Sequence, residues 1–381
     1  MARCCGTALS GPPTTPLRLP RRHLTPVRLR LVVWLVPSLV ALAAAPIVSA
    51  SPWSATSWRH RLPVRVVRFD YRTHDGKRSY ALLLLPGWYG PRHDPPIPLV
   101  ISPHGRNTLP ASDARRWSDL PSRGDFAVVL PAGQGRVLRL YSWGYPGQID
   151  DLARMPRLIR EAIPWFHYRR RSVYAVGASM GGQEVLLLLA HAPRLLAGVI
   201  AFDPAVNLAA RYYAFPHLPS GAVDQERCRI EVGGSPRQVP RAYRVRSPIT
   251  YVRRIARSDV PLELWWSLRD EVIRDQADQA GRLYEEIKQT APEAPVAAFV
   301  GTWQHAGEVA ADYRLPYALA RIGLLPRYWL HHDPYRWRHR RWSSGRTCSA
   351  PSALPDSSPK VHGHVCVAPG RATGGPEPAL S

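Results

Sequence analysis

Residues 171–192, RSVYAVGASMGGQEVLLLLAHA, constrain the fold of this 381-residue chain more than any other stretch. A short apolar, β-prone run at 173–176 meets Gly177-Ala178-Ser179-Met180-Gly181-Gly182, and a leucine-rich segment of helical character follows. This reads as strand, sharp turn and helix, with a serine at the apex. A side chain held on so tight a turn sits on strained backbone, and the residues two before and two after it must lack bulk for strand and helix to approach. Gly177 and Gly181 meet that demand around Ser179. A plain glycine-rich turn would use the same letters, so the flanking elements have to decide.

Those elements alternate. Residues 64–71 alternate apolar and basic side chains as a half-buried strand does, His74-Asp75-Gly76-Lys77 is a hairpin turn, and 79–85 is the return strand. Residues 98–102, ending at Pro103-His104-Gly105, and 126–130, ending at Pro131-Ala132-Gly133, are continuous apolar runs of the kind buried on both faces of a parallel sheet. Asp150 and Asp151 are expected to cap a helix reaching Ile163, with Leu152, Met155, Leu158 and Ile159 at helical spacing. Further strands fall at 196–202, 261–267 and 295–300, with helices at 276–289 and 313–322. Residues 204–247, rich in Pro, Gly and Arg without a clear period, read as an excursion over the sheet edge or a small lid. The pattern predicts one α/β domain over 64–330, a three-layer sandwich around a mostly parallel, right-handed, doubly wound sheet with an antiparallel start.

Flanking segments carry much of the charge. The chain holds 51 Lys plus Arg against 28 Asp plus Glu, a net +23, and its only lysines are Lys77, Lys288 and Lys360. Six arginines and no acid fall in residues 1–50, and residues 331–381 hold seven basic and three acidic residues, leaving +13 for 51–330. In 1–50 the arginines 21, 22, 28 and 30 precede an apolar run, 31–48, and Val48-Ser49-Ala50 offers small residues for cleavage. Export to the cell envelope or medium is expected, with cleavage after Ala50; the alternative is an uncleaved membrane anchor, against which Pro37 and Pro46 argue. Residues 51–63 are a linker. The tail from 331, with its YRWRHRRW run at 335–342, is expected to be disordered from Ser343 and is the part suited to contact anionic envelope polymers. No nucleic-acid motif accompanies the charge, and nucleic acid is not an expected partner. Five cysteines without a CxxC pair exclude a disulfide scaffold; Cys348 and Cys366 are spaced to bridge within the tail, and Cys228 reads as a small core residue.

A serine nucleophile needs a base to take its proton and an acid to orient that base. In an open parallel sheet such groups lie at the carboxyl ends of strands. Asp270, in SLRDEVI, and His305, in GTWQHAGE, follow the last two predicted strands. Asp203, at the end of the 196–202 strand, is the alternative acid. Glu271 reads as a surface residue, His104 as a structural support for its loop, and no His, Cys and acid cluster has metal-ligand spacing. Tyr141, Trp143, Tyr145 and Trp303 are aromatic residues near these loops, and Trp265 and Trp266 alternate across a strand.

In these residues the chain resembles the α/β-hydrolase superfamily, and within it secreted esterases and the catalytic domain of prolyl-oligopeptidase-like enzymes. The resemblance rests on Pro103-His104-Gly105, the Gly177–Gly182 elbow, RSPITYV at 246–252, the acid loop at Asp270 and the terminal His305, in the order Ser, Asp, His. It implies a serine hydrolase without cofactor or metal, acting on a small or polymeric ester through an acyl-enzyme. Ser179 would attack, His305 act as base and then acid, and Asp270 orient the imidazole. The oxyanion hole would use the Met180 N–H and one from the early loop; that loop reads HGRN in place of HGGG, leaving Gly105 or Arg106 as the second donor. A serine peptidase, a cell-envelope acyltransferase and a non-catalytic binding protein are the alternatives on this scaffold.

Overall fold

The computed structural model describes residues 62–133, 142–219, 221–310 and 314–331, and the backbone of the two-residue strands Arg338–His339 and His364–Val365. The signal or anchor segment, the proposed tail bridge and Tyr141 lie outside the described residues. Eight strands form one sheet: β1 (Val64–Arg72), β2 (Arg78–Pro86), β3 (Ile97–Ile101), β4 (Ala127–Pro131), β5 (Tyr168–Ala178), β6 (Gly198–Phe202), β7 (Leu262–Ser267) and β8 (Val296–Gly301). Their order is β1-β2-β4-β3-β5-β6-β7-β8. β1 pairs antiparallel with β2, and β2 with β4; every later pair is parallel. β5, the strand that leads to Ser179, is thus interior, flanked by β3 and β6.

The apolar runs are buried on both faces because successive side chains point to opposite sides of the sheet. One face presents Leu99, Ile101, Val173, Ala175, Val199, Ala201 and Trp266 to a core shared with α3 (Pro146–Ala162) and α4 (Met180–His191). The other presents Val100, Val128, Val176, Ile200 and Trp265 to a second core, closed by Trp117 of α1 (Pro110–Trp117) and Leu120 of α2 (Leu120–Gly124). Trp265 and Trp266 are therefore core on opposite faces, Trp265 lying parallel to Phe299 with centroids 4.1 Å apart. This is the three-layer α/β-hydrolase fold.

One expectation needs correction. α3 begins at Pro146, whose missing N–H costs nothing at a first helical position, so Asp150 and Asp151 lie within the helix and cap nothing. Asp151 is buried and accepts from His74 Nδ1 at 3.0 Å and from Arg154. The excursion 204–247 is helical, with α5 (Leu208–Ala214), α6 (Gly221–Val232) and α7 (Pro240–Val245). Trp143, Met180, Leu208, Tyr212, Phe215, Cys228, Val232 and Tyr243 form its own small apolar core. Beyond it come α8 (Val252–Ala256), a π-helical turn at Ala277–Gly281 continued by α9 (Arg282–Thr290), α10 (Gly307–Ala310) and α11 (Arg314–Arg321). No helix among the described residues is long and apolar enough to cross a membrane.

Candidate active site

Ser179 stands between β5 and α4 with φ 58° and ψ −123°, outside the regions open to most L-residues. The neighbouring contacts hold it there. Its N–H donates to Phe202 O at 2.8 Å and its carbonyl accepts from Gln183 N at 3.0 Å. A Cβ on Gly177 would stand 2.4 Å from Gly181 O, and one on Gly181 would stand 2.3 Å from Pro103 O. The glycine spacing thus lets α4 fold back on β5 and lets the 103–107 loop close on both. Met180 is the first helical residue of α4, so its N–H has no carbonyl within the helix to bond and carries the positive end of the helix dipole.

The loops after β6, β7 and β8 converge. Asp270 is 3% exposed, and its Oδ1 accepts from Val272 N at 2.9 Å and Ile273 N at 2.6 Å. Its Oδ2 accepts from Gln276 Nε2 at 3.0 Å and from His305 Nδ1 at 2.8 Å. A carboxylate so saturated is fixed in place, and it orients the imidazole with Nδ1–H donating to it. His305 Nε2, buried, then keeps a free lone pair with no hydrogen-bond partner among the described residues. Glu271, read from the sequence as a surface residue, is exposed but also accepts from His305 N at 3.1 Å.

Asp203 is fully buried and does different work. Its Oδ1 accepts from Ser267 N at 2.8 Å, and its Oδ2 from Trp303 Nε1 at 3.1 Å and Ala306 N at 2.8 Å. It ties the ends of β6, β7 and β8 together, while Asp270 meets the imidazole. Because Ser179 is bonded to Phe202 and Asp203 to Ala306, the serine and the histidine are drawn to the same carboxyl-terminal end of the strands. Asp203, Asp270 and His305 place one ligand atom each within 4.8 Å of one another, the group best suited to a metal among the described residues. The N–H donors already on both carboxylates would have to be displaced first, so the donor set fits a hydrogen-bonded acid and base better than a cation.

The early loop lies against the serine. A Cβ on Gly105 would be 3.8 Å from Ser179 Cβ, in ordinary contact. His104 Nδ1 donates to Gly105 O at 2.8 Å, and Thr108 Oγ donates to the same carbonyl at 2.8 Å, which matches the structural role read for His104. Arg106 turns to the excursion, where its Nη1 donates to Glu231 Oε2 at 2.6 Å and its guanidinium lies 4.9 Å from the Trp143 ring. Trp143 Nε1 donates to the same oxygen at 2.5 Å, and Trp143 N to Met180 Sδ at 3.0 Å. Glu231, 2% exposed, thus braces residues beside both oxyanion candidates. Sequence reasoning missed Glu231 and Gln276, because only tertiary packing brings them to the loops. Cys228 is fully buried and burial pushes its thiol up to about 12, which leaves it inert. A cavity of about 610 Å³ near Arg72, Arg78, Arg154 and Arg157 is lined by none of these residues.

No protein-family model matches the chain, and no curated protein matches it. Solved structures do resemble it. The acylaminoacyl peptidase of Pyrococcus horikoshii is 17% identical with a TM-score of 0.53, over 76% of this chain and 44% of that one. An esterase structure from Rhizomucor miehei is 14% identical with a TM-score of 0.54, over 72% of this chain and 87% of that one. Prolyl oligopeptidase B from Galerina marginata is 14% identical with a TM-score of 0.51, over 70% and 37%. This chain therefore spans less than half the length of the peptidases it resembles, and at these identities the likeness concerns the fold.

Proposed function

We propose that this chain is an exported serine hydrolase that cleaves carboxylic esters through an acyl-enzyme on Ser179. The observation that carries the reading is the saturated Asp270 bonded to His305, whose Nε2 is left without a partner, at the strand ends that also bear a strained serine. Ser179 Oγ attacks the ester carbonyl while its proton passes to His305 Nε2, and Asp270 stabilises the imidazolium. The carbonyl oxygen, now an anion, is met by the Met180 N–H and by an N–H of the Gly105-Arg106 pair; one such donor is worth about 3 kcal/mol. The alcohol departs with the proton from His305. Water then attacks the acyl carbon and gives a proton to the same nitrogen, and the acid is released as His305 returns that proton to Ser179 Oγ.

Export rests on the arginines and apolar run of residues 1–50. The test is hydrolysis of short p-nitrophenyl esters. Ser179→Ala is expected to lower kcat by at least about 10⁴-fold; an unchanged rate would remove the serine from the mechanism.

A further inference from the structure

The two candidate oxyanion donors come from different segments, and one carboxylate outside both segments holds them. Glu231 lies on α6, 125 residues from Arg106 and 88 from Trp143. Its Oε2 accepts from Arg106 Nη1 at 2.6 Å and from Trp143 Nε1 at 2.5 Å, and the same guanidinium lies over the Trp143 ring. A buried ion pair of this kind is a poor source of stability, because the desolvation of both charges offsets most of their attraction and well-packed apolar side chains do as well. What it supplies that apolar packing does not is direction.

Each partner of Glu231 leads to one donor. On the first side, the Gly105 carbonyl accepts from His104 Nδ1 and from Thr108 Oγ, both at 2.8 Å. The C=O and N–H of a trans peptide point in opposite directions, so this carbonyl aims the Arg106 N–H away from those two groups. The Arg106 side chain, held at its far end by Glu231, anchors the other side of the same peptide. On the second side, Trp143 has φ 62°, a left-handed backbone that costs a bulky residue about 1–3 kcal/mol and persists only where its surroundings over-determine it. Its N–H donates to Met180 Sδ at 3.0 Å, its carbonyl accepts from Gln183 Nε2 at 3.2 Å, and its indole is tied to Glu231. Trp143 is thus fastened to the first turn of α4, which carries the Met180 N–H.

We propose that Glu231 is a positioning residue of the oxyanion hole: by holding Arg106 and Trp143 through one oxygen it sets the two N–H donors against each other. The excursion then governs how well the transition state is stabilised, although none of its residues belongs to the Ser179, Asp270 and His305 set. This rests on the serine-hydrolase reading and adds to it a control on the same site. The negative charge that the donors meet develops only as the tetrahedral intermediate forms. Displaced donors therefore lower kcat and leave substrate binding almost as it was.

The experiment separates positioning from mere bracing. Hydrolysis of p-nitrophenyl esters, and inhibition by an alkyl boronic acid that adds to a serine hydroxyl and places an oxygen in the oxyanion hole, are measured on the wild type, Glu231→Gln, Glu231→Ala and Val232→Ala. Glu231→Ala is expected to lower kcat about 10²-fold with KM little changed, and to weaken the boronic acid by a similar factor. Glu231→Gln, which keeps an acceptor oxygen, recovers part of both. Val232→Ala removes methyl groups from the same small core. It is expected to lower the unfolding temperature while kcat and boronic acid affinity stay at the wild-type level. Wild-type kcat in both Glu231 variants, a loss confined to KM, or an equal loss in Val232→Ala would overturn the positioning role. If Glu231→Ala fails to fold, Glu231→Gln and Val232→Ala decide. Labelling of the wild type by a fluorophosphonate reads the hydrolase proposal separately. A labelled, ester-cleaving wild type with unaffected Glu231 variants removes Glu231 alone, whereas a wild type that neither labels nor cleaves removes the hydrolase reading and this role with it.

Discussion

In the strand-end loops, Asp203 and Asp270 are each surrounded by N–H donors from two or more segments, and none of these bonds exceeds 3.1 Å. In the excursion 204–247, Glu231 is shared by Arg106 and Trp143. The loops are a closed polar network whose geometry does not wait for a ligand. The helices above them spend their one shared carboxylate on holding the early loop and the Trp143 segment. The first fixes the acid and base, and the second fixes the loop that lies beside the serine.

That contrast can be broken at its strongest point. Asp270→Asn is expected to lower kcat about 10⁴-fold by reversing the histidine tautomer. Asp203→Asn should act mainly on stability, with a far smaller fall in kcat. A reversed order, measured on the same ester, would move the catalytic acid to Asp203. Glu231→Ala leaves the part-buried Arg106 without its anion and is expected to cost about 1–3 kcal/mol in urea unfolding, with Glu231→Gln costing less. No change in stability would mean that the excursion does not brace the oxyanion loop.

Smaller effects sharpen the same picture. Gly181→Ala drives a methyl to 2.3 Å from Pro103 O and should cost about 1–3 kcal/mol, with lower kcat as the early loop moves off the serine. The smallest effect concerns Glu184, fully buried in α4, whose carboxyl is pushed well above its ordinary value of 4.5 chiefly by burial. A raised carboxyl pKa means the folded chain holds a proton that the unfolded chain releases. Stability is therefore full below about pH 4.5 and is lost as pH rises toward the folded value. Glu184→Gln should flatten that decline, giving a variant more stable than the wild type at neutral pH in thermal unfolding. A parallel pH profile would show that Glu184 is ionised in place.

The sheet was legible because its strands are buried on both faces, so each appears as an unbroken apolar run; 98–102 and 126–130 shift by a single residue against β3 and β4. The elbow was legible because steric demand leaves only glycine at 177 and 181. The excursion was not. Within GAVDQERCRIEV, the α6 sequence, the buried residues include Gly221, Cys228 and Glu231, so no apolar stripe marks the helix. Similarly, Asp150-Asp151 carries the usual letters of a cap, while Pro146, the true start, lies four residues earlier. The choice between Asp203 and Asp270 turned on which carboxylate faces Nδ1, a matter of a few ångströms that strand-end position alone does not fix.

The central claim is that Ser179 is the nucleophile. The most direct test is to treat the folded chain with a fluorophosphonate, digest it and locate the adduct by mass spectrometry. The account predicts one stoichiometric adduct on the peptide holding Ser179, slowed by Asp270→Asn and lost when His305 is replaced by Ala. An adduct on another residue, or none in protein shown to be folded, would contradict it.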